Sequence, residues 1–473
     1  MRSVVTGSPA FAGDDTPKAG TTSASAAAPL TPRDRFIVPL DAPAAREAER
    51  VGPKAANLAA LDAAELPTPG GFCLAADAYR AQIAALGLGD AIASYDVAGQ
   101  HEQRRLAVDI RLALYQQPIA PEILELLLEA WRKQRASGGP GVVRSSALIE
   151  DRSGASCAGQ FESFLGIADE DALQTAVRAC WAALWTSQAR GYMDRHGLSP
   201  AGTAMAILIQ PLIDARASGG GLSENGEGQI ILSATWGLGS SIAQGEIVPD
   251  RIVLSRAGFL RSNDAGRKVR RDRCGHDAGE RVNGGARPEA VPPELVDEPC
   301  LDAGAAVALG RLLRRAEAVL GMPVEIEWAL DDSGFKLLQA RPLVVVPAAV
   351  PPPFPPPLAG EGAGRGHPRL NGHPAGIGWA AGRAVVVNCE CELSRIAPGD
   401  VLVTRVAGPA LAQVLPRVAG VVAELGGSTS HLASLARERG IPMVLGVRNA
   451  TATIPDGAQV AVDGVAGIVR WIG

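Results

Sequence analysis

Aromatic residues are scarce: Phe, Tyr and Trp together make up 4% of the 473 residues. No stretch approaches the roughly 20 consecutive apolar residues of a membrane span, so no membrane role is expected. Positive charge is not in excess either. The 45 Lys and Arg against 50 Asp and Glu leave a net charge of -5, which excludes a broad nucleic-acid footprint. The seven cysteines, at positions 73, 157, 180, 274, 300, 389 and 391, are odd in number and lack zinc-ribbon spacing. That pattern predicts reduced thiols in a cytoplasmic setting. Cys389 and Cys391 flank one residue, and Cys274 lies two before His276; both spacings suit a metal as well, but free thiols are the expectation. Residues 1–35 lack the continuous apolar core of a secretory signal and read as a disordered extension.

The residues present are those of a globular protein: 47% hydrophobic and 20% charged, enough for roughly two to four cores. Basic residues Arg267, Lys268, Arg270, Arg271 and Arg273 gather between Arg261 and Arg281 and read as a solvated loop. Ordered sequence begins near FIVPL (36–40). VGPKAANLAAL (51–61) predicts a tight turn opening a helix, and LPTPGGFCLAADAYRAQI (66–83) predicts a turn, a strand and a second helix. Residues 101–134 read as helices with Ile123, Leu124, Leu126, Leu127 and Trp131 on a buried face. In GVVRSSALIEDRSGASCAGQFESFLGI (141–167), Arg144 ends a strand beside Ser145 and Ser146. A guanidinium there suits bidentate bonding to a polyphosphate, or equally a surface salt bridge. AILIQPLI (206–213) is a strand whose Gln210 is also tolerable at a sheet edge.

Ala303 to Leu320 has helical periodicity. PVEIEWALDDSGFKLLQARPLVVVP (323–347) then predicts two strands around a D-D-S-G turn. Alternation puts Glu325 and Glu327 on one face, and Gln339 and Arg341 on one face of the returning strand. A carboxylate, an amide oxygen and a guanidinium so placed can hold magnesium and a triphosphate together, although isolated strand polars commonly face solvent. A proline- and glycine-rich segment follows, whose PPPFPPP core would extend about 20 Å as polyproline II. ELGGSTSHLASLARERGIPMVLG (424–446) places His431 where a helix starts, with Leu432, Leu435 and Ala436 on one face and Gly440 as the stop. Unpaired N–H groups and the positive dipole end there favour a neutral imidazole and attract anions. A plain solvent-facing cap has the same local pattern.

The length of this last motif resembles the phosphohistidine segment of the phosphoenolpyruvate-utilising enzymes: phosphoenolpyruvate synthase, pyruvate phosphate dikinase and rifampin phosphotransferase. Two glycines, hydroxyl residues, S-H and a helix ending in G-I-P all match, and 398–424 and 456–469 resemble the same swivelling domain. G-x-K-x-A-N-L, V-R-S-S-A, E-D, A-S-x-A-G-Q, E-I-E-W-A and L-Q-A-R-P resemble the superfamily's ATP-grasp domain. The resemblance implies an α/β multidomain chain. Its expected parts are a disordered 1–35, an ATP-grasp domain over 36–347 (subdomains 36–204 and 205–347), a linker over 348–374, and a β/β/α phosphohistidine domain over 375–473. It implies ATP and Mg2+ as ligands, with Lys54, Arg144, Gly159, Gln160, Gln210 and Arg341 at ATP, and Glu327 and Gln339 at the metal. It implies catalysis by His431 in the loop Gly426, Gly427, Ser428, Thr429 and Ser430. Glu150 and Asp151 match the family's acidic pair.

Some positions depart from the family pattern. Pro53 replaces a glycine and removes one N–H, SGGGLS (218–223) replaces S-G-V-x-F-T, and Ser240 stands where glutamate is usual. The activity implied is a dikinase-type phosphotransfer: ATP phosphorylates His431, giving AMP and phosphate, and the swivelling domain carries the group to an acceptor. Because the chain stops after the His domain, a small-molecule acceptor is expected to bind on a partner subunit or at the domain interface. A phosphocarrier that serves another protein, and a degenerate ATP-binding subunit, are the alternatives.

Overall fold

Apolar residues from five separate segments build the first sheet. Its strands lie in the order Ile37–Pro39, Phe72–Leu74, Met205–Pro211, Gly141–Ala147 and Ser163–Ile167, and each neighbouring pair is antiparallel. The computed structural model describes residues 31–136, 138–150, 161, 163–274, 286–344 and 368–472. Helices Gln100–Gln116, Pro121–Arg135 and Glu170–Ala183 cover this sheet, burying Ile110, Leu114, Ile123, Leu127, Trp131 and Trp181. Leu124 and Leu126 are only half-buried.

A second sheet runs in the order Gly334–Pro342, Val324–Asp331, Ala217–Leu222, Gln229–Trp236, Asp250–Ser255 and Leu260–Asp264, again antiparallel throughout. Helix Ala48–Ala63 joins the two sheets. Leu58 and Leu61 share an apolar cluster with Leu208 of the first sheet and with Leu232, Trp328 and Leu337 of the second. This helix is broken at Gly52 (φ +76°), where a Cβ would lie 2.2 Å from the Ser146 hydroxyl. Only glycine permits both the conformation and the approach. Pro53 therefore opens the regular part of the helix, where a missing N–H is tolerated.

The C-terminal part is an eight-stranded mixed sheet. Trp379–Val387, Val401–Thr404, Gly420–Ala423 and Met443–Leu445 run parallel at its centre, and the remaining strands pair antiparallel at either side. Valines on these strands face a cluster with Ile454 and Trp471, and the helix His431–Glu438 packs Leu432 and Leu435 on the other face.

Five expectations change. Met205–Pro211 is a central strand of the first sheet, so the division placed at 204/205 falls later; its uninterrupted apolar run suits burial on both faces. Order reaches back to Pro32–Phe36, a short helix capped by Thr31 and anchored by buried Phe36; residues 1–30 lie outside the described residues. The linker placed at 348–374 ends sooner, because Arg369–Asn371 pairs with Ile468–Ile472 and His373–Gly376 with Met443–Leu445; the PPPFPPP segment is outside the described residues. The basic cluster is not a loop. Arg270–Cys274 is a strand, and Lys268 is fully buried in a pair with Asp250. Finally, Cys389 and Cys391, expected as free thiols, form a disulfide with their Cα atoms 5.4 Å apart. An extended Cys389 leading into the turn Glu390–Arg395 brings these alternate side chains together.

Candidate active site

Arg144, on the first sheet, reaches across to the second. Its Nη1 donates to Glu327 Oε2 at 3.1 Å and to Gln339 Oε1 at 3.2 Å. Glu327 and Gln339 are direct cross-strand partners, which is why their oxygens converge on one cation. Glu327 retains 42% of its side-chain surface. Burial pushes its carboxyl upward, but Arg144, His431 and Arg341 outweigh that and hold its pKa below the ordinary glutamate value.

Lys54 follows the break at Gly52 and donates to Glu150 at 2.9 Å and to the Ser145 carbonyl at 3.1 Å. Glu150 is itself fixed by the backbone N–H of Ala147. Arg341 pairs with Glu325 at 3.0 Å. Gln210 is buried in mid-sheet and donates to the Gly70 carbonyl at 3.0 Å. Gly159, Gln160 and Asp151 lie outside the described residues. Ser240, which stands where the family pattern has glutamate, begins the short helix Ser240–Ala243 and donates to Asp272 of the strand Arg270–Cys274 at 2.5 Å.

His431 is the first residue of its helix, and the preceding Ser430 caps the Ala433 N–H. The loop before it sits on the second sheet: the Gly426 N–H donates to the Ile247 carbonyl at 2.9 Å, and Gly427 lies against Pro249. Thr429 rests on Gly220, where a Cβ would come within 2.6 Å of the threonine Cβ. Gly220 of SGGGLS thus provides room for the loop. Ser428 is buried, and its carbonyl accepts from Arg437 Nη1. Burial lowers the His431 pKa; Glu327 and Glu325 oppose this, while Arg341 and Lys54 add to it. The net direction is downward, the same direction as the effect of the helix end.

The structure therefore gathers Lys54, Arg144, Glu327, Gln339, Arg341 and His431 near one boundary between the two halves of the chain. Sequence reasoning missed Ser434 and Arg437, which contact Glu325 across that boundary. Ser434 lies three residues after His431 and Arg437 three after Ser434, a helical spacing that was the available signal.

Residues 48–353 match the family model for the pyruvate phosphate dikinase AMP/ATP-binding domain, and 396–467 match the mobile domain of PEP-utilising enzymes. The chain belongs to the phosphoenolpyruvate synthase and pyruvate phosphate dikinase superfamily. Phosphoenolpyruvate synthase of Aeropyrum pernix is 31% identical over 457 residues, covering 89% of this chain and 56% of that protein. A probable phosphoenolpyruvate synthase of Methanothermobacter thermautotrophicus is 30% identical over 88% of this chain and 61% of its own length. Phosphoenolpyruvate synthase of Escherichia coli K12 is 30% identical over 90% and 56% respectively. The chain thus spans little more than half the length of these relatives. No helix among the described residues is long and apolar enough to cross a membrane.

Proposed function

We propose that the chain is an ATP-dependent phosphotransferase of the dikinase type in which His431 is the covalent way-station. The observation that carries this is the placement of a half-buried imidazole, its pKa lowered, beside Lys54, Arg144 and Arg341. Phosphoryl transfer needs in-line placement and charge neutralisation more than covalent help, and these residue types supply both. In the reaction proposed, an imidazole nitrogen bonds to the β-phosphorus of ATP while the bond to the α–β bridging oxygen breaks. AMP leaves carrying that electron pair. Water then cleaves the β–γ link, releases phosphate and leaves one phosphoryl group on His431. Burial keeps the ring neutral to a lower pH than free histidine, which preserves the nitrogen lone pair for attack.

Lys54, Arg144 and Arg341 are proposed to bind the phosphates. Each now pairs with a carboxylate, Glu150, Glu327 and Glu325 respectively, so the cations are positioned before the nucleotide arrives. The fit of Mg2+ is supported by the oxygens of Glu327 and Gln339 converging on a single cationic nitrogen of Arg144, a hard oxygen set of the kind magnesium takes. When bound, the metal would supply charge neutralisation for the phosphates. With ATP bound, Arg144 would exchange its carboxylate partner for a phosphate. Gln210, Gly159 and Gln160 are proposed nucleotide contacts on the resemblance alone.

The loaded histidine is proposed to pass its group to a small-molecule acceptor, after the His domain leaves the nucleotide cleft. A partner subunit that supplies the acceptor site remains part of this proposal. Production of AMP from ATP and Mg2+ by the wild-type chain, abolished in His431→Ala with ATP binding retained, tests the scheme. ATP binding without AMP production by the wild type would overturn it in favour of an ATP-binding subunit.

A further inference from the structure

The helix of His431 is held against the nucleotide half by one buried cluster. Ser434, three residues after His431 and so on the same helix face, donates to the Glu325 carboxylate at 3.0 and 3.1 Å. Its oxygen accepts from Arg341 at 2.9 Å and from Arg437 at 3.0 Å. One hydroxyl thereby uses its donor and both acceptor sites, and two of its three partners belong to the other half of the chain. Arg437, 4% exposed, also donates to Glu325 at 3.2 Å and to the carbonyls of Ser428 and Ala375. It therefore ties the loop that carries His431 to the strand that carries Glu327.

Farther along the helix, Tyr192 donates to Glu438 at 2.7 Å. Glu325 is buried, and its carboxylate faces Arg341 at 3.0 Å and Arg437 at 3.2 Å. Arg341 is shared between this cluster and the phosphate role proposed above. A polyphosphate that draws its guanidinium away would loosen the hold on Ser434.

We propose that Glu325 and Ser434 are positioning residues forming a latch that holds His431 at the nucleotide cleft and yields when Arg341 changes partner. This rests on the phosphohistidine reading. A misplacement of about 1 Å at a reacting atom costs on the order of 100-fold in rate, so loss of the latch should be read in phosphorylation rate rather than in nucleotide affinity.

The test uses the full chain and its Ser434→Ala and Glu325→Gln variants, with Mg2+ and β-labelled ATP. Three quantities are measured: the single-turnover rate of labelling, the ATP dissociation constant, and hydrogen exchange of amides 432–438 without nucleotide. Expected are labelling slowed about 10- to 100-fold at saturating ATP, a dissociation constant within about twofold of wild type, and exchange about tenfold faster. Wild-type labelling and exchange rates in both variants would overturn the latch. If the wild type does not label at all, the phosphohistidine reading fails. Exchange then decides the latch by itself: faster exchange supports it and unchanged exchange overturns it.

Discussion

Arg144 and Glu327, 183 residues apart in sequence, meet at 3.1 Å between two different sheets. The guanidinium stands where a carboxylate and an amide oxygen converge, so one cation now fills a place that suits another. Glu327→Gln keeps an acceptor for Arg144 but removes the charge that a divalent ion requires. It should raise the Mg2+ needed for half-maximal AMP formation by at least about tenfold, and slow turnover by about 100-fold. A magnesium titration at fixed ATP checks this. A titration curve unchanged from wild type would remove Glu327 from the metal role.

Lys54 and Glu150 form a pair of which the carboxylate is almost wholly buried. Removing only the cation takes the 2.9 Å ion-pair partner Lys54 away from a buried acid. Lys54→Met should therefore weaken ATP binding and also destabilise the fold by about 2 kcal/mol, and adding Glu150→Gln should recover much of the stability but none of the affinity. Urea unfolding and calorimetry with ATP separate the two effects.

Gly220 is the floor on which Thr429 rests. Gly220→Val introduces the side chain that the related S-G-V-x-F-T pattern carries, and here its Cβ would meet the threonine at 2.6 Å. The backbone on either side is locked into antiparallel pairing, so the His loop has to give way. Small-angle scattering should show a larger radius of gyration than wild type, with AMP formation slowed and ATP binding retained.

His373 lies beside Gly446, with Arg251 and Asp264 of the nucleotide half among its charged neighbours. Burial first, then Arg251, lowers its pKa from 6.5 to about 4. The unfolded chain therefore takes up this proton before the folded one does. The contribution is intact above about pH 6.5, is lost progressively as pH falls, and levels off below about pH 4. Because the ring is not wholly enclosed, the loss should be on the order of 2 kcal/mol. His373→Gln should flatten that part of the stability profile, measured by urea unfolding between pH 7 and pH 4.

Much of this organisation was legible in local sequence. The helix Ala303–Leu320 and the strands flanking Asp332 and Ser333 follow from periodicity and turn chemistry, and Gly52 from the glycine turn before Lys54. Alternation put Gln339 and Arg341 on one face, but the direct pairing of Glu327 with Gln339 depends on a one-residue register shift between Glu327 and Trp328 that the turn does not predict. What was not legible depends on partners distant in sequence. Lys268 reads as a surface charge until Asp250 is brought beside it, and Gln210 reads as an edge residue until strands pair on both sides. Ser434 is an ordinary helix residue unless Glu325, 109 positions earlier, lies opposite.

The central claim is that the His431 imidazole takes a phosphoryl group from ATP. It is tested most directly by incubating the chain with Mg2+ and β-labelled ATP and locating the label by peptide mapping under alkaline conditions. The account predicts one acid-labile, base-stable label per chain, on His431, formed together with AMP and absent from His431→Ala. A chain that binds ATP but carries no label, or carries it on another residue, would contradict the account.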